Sequence, residues 1–251
     1  MKKSLLSLLC LGLVTFTFGL QSCNDDDNCN NCLLFPSALV TVKPSVDNSS
    51  FYLQLDDRTT LSPTNMTTSP FGTKEVRALV NYTEAAKESN TTHSRAVTIN
   101  WIDSILTKPT VPYLGKELSI KKYGNDPVEI INDWVTIAED GYLTLRFRTR
   151  WGYGTTHFVN LAISSDKTNM YKVTFYHNAK GDVDGRVGDA LVAFRLSDLP
   201  DTQGKTVDLT LNWMSFSGEK SATFKYCTRK STNAKKDIAI TERNFVSNSV
   251  Q

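Results

Sequence analysis

The chain has 251 residues, 40% of them hydrophobic, and its 28 Lys and Arg nearly balance 26 Asp and Glu. Two of those lysines, Lys2 and Lys3, fall in a segment expected to be cleaved, so the mature chain is close to neutral and lacks the basic balance of a nucleic-acid binder. Five cysteines in a chain of this length do not make a disulfide scaffold.

In chain order, Lys2 and Lys3 precede an apolar run from Leu5 to Leu20. The run is shorter than the roughly 20 residues a spanning helix needs, so it reads as a secretory signal over residues 1–22. Leu20-Gln21-Ser22-Cys23 resembles a bacterial lipobox, with an aliphatic residue three before the cysteine and a small one just before it. Gln21 departs from the usual pattern. The resemblance implies cleavage before Cys23 and acylation of its thiol and new amine, which makes a membrane the first expected partner. Asn24 to Asn28 includes three adjacent aspartates, which repel one another and bury no apolar area, so residues 23–36 are expected to be a wet tether. Acids directly after a lipidated cysteine resemble the surface-export signal of Bacteroidota lipoproteins. That implies an outer-membrane protein facing the cell exterior. Cys29 and Cys32 form a C-x-x-C, but in an Asn-rich tether without the βαβ context of a redox motif. They are expected to be a local disulfide or two idle thiols.

From Ser37 the pattern is strand after strand. Leu143, Leu145 and Phe147 alternate with Thr144, Arg146 and Arg148; Val207, Leu209, Leu211 and Trp213 alternate with Asp208, Thr210 and Asn212. The same holds around Tyr171–Phe175, Ala190–Leu196 and Ala222–Tyr226, after earlier strands at Leu39–Val42, Phe51–Leu55, Val76–Tyr82 and Val97–Trp101. No segment carries a helical stripe; Thr83–Ser89 has room for two turns and Tyr113–Lys122 is ambiguous. The fold class is therefore all-β and mostly antiparallel, with a polar face on every strand. Pro109 and Pro112 mark a break. Residues 37–108 suit a small OB-like β-barrel and residues 109–230 an antiparallel β-sandwich, followed by a solvated tail over 231–251.

The ordered segments Ala38-Leu39-Val40-Thr41-Val42-Lys43, Phe51-Tyr52-Leu53-Gln54-Leu55-Asp56-Asp57, Val76–Tyr82, Ile105–Lys108, Gly124–Val128, His157–Leu161 and His177–Asp182 resemble the NigD-like lipoproteins of Bacteroidota. The resemblance implies an N-terminal OB domain, a C-terminal β-sandwich and an association with bacteriocin gene clusters. It supplies no catalytic residues and no cofactor. Arg58 stands where members often have Gly, and Tyr176 where they often have Arg.

Three features could carry chemistry. Trp151-Gly152-Tyr153-Gly154 lies between strands, so Trp151 and Tyr153 are either an exposed stacking platform for a sugar ring or partner protein, or packing at the sandwich end. His157 and His177 begin and end strands. If those strands pair antiparallel, the imidazoles approach each other, and Asp182 or Asp184 could complete a weak metal site; otherwise the rings are structural. Asp182-Val183-Asp184-Gly185 has the middle of a calcium loop without its later ligands, and turn formation explains it equally. His93 sits in a polar loop. Asp103-Ser104-Ile105 resembles a Bacteroides O-glycosylation site at Ser104. The expected function is a non-enzymatic surface component that binds a protein or glycan. The alternatives are a metal-assisted hydrolase and a bacteriocin-associated or immunity protein.

Overall fold

The computed structural model describes residues 34–85, 95–152, 154–164, 168, 170–229 and 251. The signal segment, Cys23, Cys29, Cys32, His93, Tyr153 and residues 230–250 lie outside the described residues. Among the described residues, no helix is long and apolar enough to cross a membrane.

Five strands form the first unit: β1 (Ala38–Pro44), β2 (Phe51–Gln54), β3 (Thr60–Pro63), β4 (Val76–Glu84) and β5 (Arg95–Ser104). They close into a barrel in the order β1-β2-β3-β5-β4, with β3 and β5 parallel and the other neighbours antiparallel. Closure buries every second side chain, so Val40, Val42, Leu53, Leu61, Ala78, Val80 and Val97 fill the interior. Thr83 and Glu84, read from sequence as the start of two helical turns, extend β4 against Thr98 and Val97.

The remaining elements form a sandwich. They are β6 (Leu106–Pro109), β7 (Val111–Pro112), α1 (Lys116–Tyr123), β8 (Glu129–Ile130), β9 (Ile137–Glu139), β10 (Tyr142–Trp151), β11 (Phe158–Ile163), β12 (Lys172–Asn178), β13 (Arg186–Arg195), β14 (Val207–Ser215) and β15 (Gly218–Tyr226). One sheet runs β6-β13-β10-β8, with β9 also on β10; the other runs β15-β14-β12-β11-β7. The two prolines do break the chain, each ending a strand. Leu106–Pro109, however, pairs with β13 of the sandwich, so this strand lies beyond the barrel. After Thr110 the chain crosses to the other sheet as β7. Gln251 also joins this second sheet through backbone hydrogen bonds with His157 and Val159.

The sandwich is mixed where the sequence suggested an antiparallel one. β6–β13, β7–β11 and β12–β14 are parallel. The cause is connectivity: β13 crosses to the opposite sheet between β12 and β14, so β14 returns beside β12 in the same direction. Phe147, Leu145, Leu161, Phe175, Phe194, Leu209 and Leu211 pack between the sheets, all essentially inaccessible.

The barrel docks on the outer face of β10 and β13. Leu39, Ile105, Val135 and Ala193 form an apolar seam. Around it, the fully buried Arg77 guanidinium donates to Thr41 (3.0 Å), Thr144 (3.3 Å) and Glu139 (2.6 Å), and Lys43 donates to Asp140 at 2.8 Å. Glu75 accepts from Tyr142 (2.6 Å) and Arg229 (2.7 Å). Burial lowers the Lys43 pKa despite its Asp140 partner and raises that of Glu139 despite Arg77. This docking corrects the expectation of a polar face on every strand: Tyr142 to Leu145 of β10 are buried on both faces, and so is most of β1.

Candidate functional site

β11 and β12 pair antiparallel, with Val159 opposite His177 and Ala162 opposite Thr174. Because side chains alternate along a strand, this pair presents different residues to the two sides of its sheet.

On the inner side the two imidazoles meet. His157 Nδ1 lies 2.9 Å from His177 Nε2. The remaining ring nitrogens point elsewhere, His157 Nε2 to Asp182 Oδ2 at 3.3 Å and His177 Nδ1 to the Asp126 carbonyl at 3.2 Å. Trp151 stacks on His157 with centroids 4.1 Å apart, and Phe147 flanks His177 at 6.0 Å. Burial lowers the pKa of both rings; His177 falls to about 4, with the neighbouring His157 adding to the shift. The backbone is fitted closely around the cluster. A Cβ on Gly152 would overlap Asp182 Oδ1, and one on Gly185 would overlap the Trp151 carbonyl oxygen. Those contacts give Gly152 and the Asp182–Gly185 turn a packing role.

The antiparallel pairing thus brings His157, His177 and Asp182 together, as a head-to-tail chain of hydrogen bonds. All four ring nitrogens are engaged, so no lone pairs converge on a point where an ion could sit. Asp184 is exposed outside this chain. Among the described residues no group of three or more His, Cys, Asp or Glu has the arrangement to hold a metal. Trp151 is only 6% exposed and donates its indole N–H to the Gly188 carbonyl at 3.0 Å. Its ring face is covered by His157 and is not a stacking platform. Ser104 ends β5 opposite Ala78 and is half-buried. Cys227 is a free thiol, half-buried beside Thr202.

The outer side of the same sheet carries a cleft that strand alternation alone does not reveal. α1 lies across β11 and β12, seating Ile120 and Tyr123 against Ala162 and Tyr176. Gly115 and Gly124, both at φ 88°, turn the chain sharply at each helix end. Glu117 in the first turn and Lys121 and Lys122 in the last suit the helix dipole. Between the helix and the open part of the sheet is a space of about 730 Å³, bordered by Tyr113, Lys116, Asn125, Lys172, Thr174, Tyr176, Asn212, Met214, Glu219 and Ser221. That volume is in the range of small-molecule and saccharide sites.

The polar groups of this cleft contrast with the inner cluster. Among the described residues the side chains of Asn125, Lys172, Thr174 and Ser221 make no hydrogen bond or ion pair, and Asn212 uses only its amide nitrogen, on the Val173 carbonyl at 3.3 Å. Lys116 bonds Glu219 at 2.6 Å across the mouth. Burial raises the Tyr176 pKa, so its hydroxyl stays a neutral donor and acceptor. Among the described residues bordering the cleft there is no histidine and one carboxylate, Glu219.

Family models match almost all of the described chain. Residues 39–105 match the NigD-like N-terminal OB domain, and residues 109–226 match the NigD-like C-terminal beta sandwich domain. The crystal structure of a toxin-related protein from Parabacteroides distasonis is 37% identical, with a TM-score of 0.63 over 76% of this chain and 92% of that one. A protein of unknown function from Bacteroides vulgatus is 19% identical, with a TM-score of 0.61 over 78% of this chain and 91% of that one. A NigD-like immunity protein from Bacteroides caccae is 21% identical, with a TM-score of 0.54 over 76% of this chain and 96% of that one. These last two likenesses are of fold alone. No curated protein matches the sequence. Matched across both its barrel and its sandwich, the chain belongs to the NigD-like family, with an N-terminal OB domain followed by a C-terminal β-sandwich.

Proposed function

We propose that this NigD-like chain is a lipoprotein of the bacterial outer membrane, anchored through Cys23 and facing the exterior, and that it works by binding, without catalysis, a ligand held in the cleft between α1 and the β12–β14–β15 face. The observation that carries this reading is the cleft itself, where side-chain donors and acceptors from three strands and the segment after α1 face a common space without partners among the described residues. The histidine cluster argues against a hydrolase, because its nitrogens are spent on one another and on neighbouring oxygens.

The cleft floor is a sheet face, so its backbone groups are used within the ladders. An extended peptide that adds a strand needs a sheet edge, and an amphipathic helix needs an apolar groove. This cleft opens on the face of the sheet, and the free edge of β15 lies at its border. Side-chain hydrogen bonding around two tyrosines suits a polyhydroxylated ligand, which makes a glycan the favoured partner. A glycan array probed with the mature chain tests this. Binding that disappears in Ser221→Tyr, which fills the cleft from an exposed position, is the expected result; hits that persist in that variant would remove the cleft as the site. Mass spectrometry of Cys23 tests the anchor separately, and an unmodified thiol in protein washed free of the envelope would overturn it.

A second reading is supported by the 37% identical toxin-related structure: a bacteriocin-associated role, in which a resident lipid-anchored chain suits immunity better than a diffusible toxin. A deletion strain that becomes sensitive to a bacteriocin from its own species would favour it, and unchanged sensitivity would discard it.

A further inference from the structure

We infer that the cleft is selective for acidic saccharides, with Lys172 receiving the ligand's carboxylate; this rests on the reading of the cleft as a glycan site. Among the described residues three ammonium groups border the cleft, from Lys116, Lys172 and Lys220, against one carboxylate, Glu219. Two of the three are already matched: Lys116 with Glu219 at 2.6 Å, and Lys220 with Glu129 at 2.8 Å. Lys172 has no carboxylate, hydroxyl or carbonyl partner for its ammonium among the described residues. It is exposed at the start of β12, where alternation puts it on the same outer face as Thr174 and Tyr176.

The cleft therefore has a charge polarity along β12. Lys172 stands at one end, and the neutral hydroxyls of Thr174 and Tyr176 follow toward α1. On the neighbouring strand Asn212 sits directly opposite Thr174, with an amide oxygen that accepts no hydrogen bond from the described residues. A neutral sugar satisfies the amide and hydroxyl groups but leaves the ammonium with water. A sugar acid satisfies both, its ring hydroxyls on Thr174, Asn212 and Ser221 and its carboxylate on Lys172. An ammonium is a compact point charge without a fork geometry, so it fits a carboxylate carried on a saccharide and does not require a planar bidentate anion. An unpaired surface charge of this kind contributes discrimination and salt dependence more than bulk affinity.

The test compares each carboxylated glycan of an array with its neutral counterpart, followed by calorimetry on the best pair at 50 mM and 300 mM salt. Trigalacturonate and galactotriose serve as the defined probes. The expected result is at least tenfold tighter binding of the acid form, weakened by salt. Lys172→Gln should bring the acid form down to the neutral form's affinity without changing the neutral form's own dissociation constant. Equal binding of the two forms, or a preference for acid that survives in Lys172→Gln, overturns the assignment while leaving a neutral glycan site in place. The absence of any glycan binding, with the variant folded and monodisperse, overturns this inference and the glycan reading together. Lys172 is exposed, so the variant's fold is not at risk.

Discussion

The two sides of the β11–β12 pair are built on opposite terms. Inside, His157, His177, Trp151 and Asp182 pack against Phe147 and satisfy one another. Outside, three and five residues before His177 on the same strand, Thr174 and Lys172, with the neighbouring Asn125 and Ser221, border an open space with polar groups that have no partner among the described residues. A buried polar group without a partner costs about 1–3 kcal/mol, whereas at a water-filled cleft that cost is absent, and a ligand gains the bond instead. The polar residues of this inner cluster therefore serve stability, and those outside are available for recognition. The residue types that look most catalytic lie on the stabilising side.

The largest way to break this comparison is Phe147→Ala. Phe147 is fully buried and lies against Phe175 (5.4 Å), His177 (6.0 Å) and Trp151 (6.3 Å). Its truncation should cost about 3–5 kcal/mol, read as a lowered midpoint in urea denaturation. A loss under about 1 kcal/mol would mean that the cluster around it is loosely packed.

Next is acidity. The His177 pKa lies at about 4 in the fold against an ordinary value of 6.5, and the His157 pKa is lowered as well. Above pH 6.5 both folded and unfolded chains keep the rings neutral, so the histidines add no pH dependence there. Below it the unfolded chain takes up protons that the fold refuses. Stability then falls with pH until about 4, by about 3 kcal/mol from His177. Denaturation midpoints at pH 7, 5.5 and 4 should show this, and His177→Gln should be flatter over the same window. Parallel curves for the two proteins would show that His177 is not buried neutral.

Much of the inner side was legible in sequence, and little of the outer. Alternation at Leu143–Phe147 and Leu209–Trp213 identified the core-facing residues, because a half-buried strand must alternate. The approach of His157 and His177 was readable only on the condition that their strands pair antiparallel, as β11 and β12 do. The cleft needed two facts that no local pattern carries. The first is that β12 pairs with β14 in parallel, which depends on β13 crossing between sheets. The second is α1, whose eight residues bury only Ser119 and Tyr123 and so show no apolar stripe. Thr174 and Asn212 are 38 residues apart in the chain and become neighbours only through that crossing. For Trp151 the sequence left two placements open, an exposed platform or packing at the sandwich end; the ring is packed, and Gly152 makes room for Asp182 beside it.

A smaller effect is expected at the boundary between the two sides. Tyr176 faces the cleft but is 4% exposed, resting on Tyr123 with centroids 5.7 Å apart. Tyr176→Phe keeps that packing and removes one hydroxyl, so it should cost about 1 kcal/mol. It should also weaken any cleft ligand that bonds the hydroxyl. A change in binding with no change in stability would place the hydroxyl wholly on the recognition side, and a change in stability alone would place it with the core.

The smallest expected effect sharpens the contrast most. Lys116 and Glu219 bond across the cleft mouth, but both side chains are about two-thirds exposed. Water and salt screen such a pair, and holding two long side chains in place costs entropy. Glu219→Gln should leave the thermal midpoint unmoved at physiological salt. The same change uncouples Lys116 from its partner and leaves a second unmatched ammonium at the cleft, so affinity for an anionic ligand should rise while that for a neutral one should not. A single substitution on the outer side would then alter ligand choice without altering stability, the reverse of what Phe147→Ala does on the inner side. A lowered midpoint in Glu219→Gln would instead make the pair a strap that holds α1 in place, and the cleft would then depend on it for its shape.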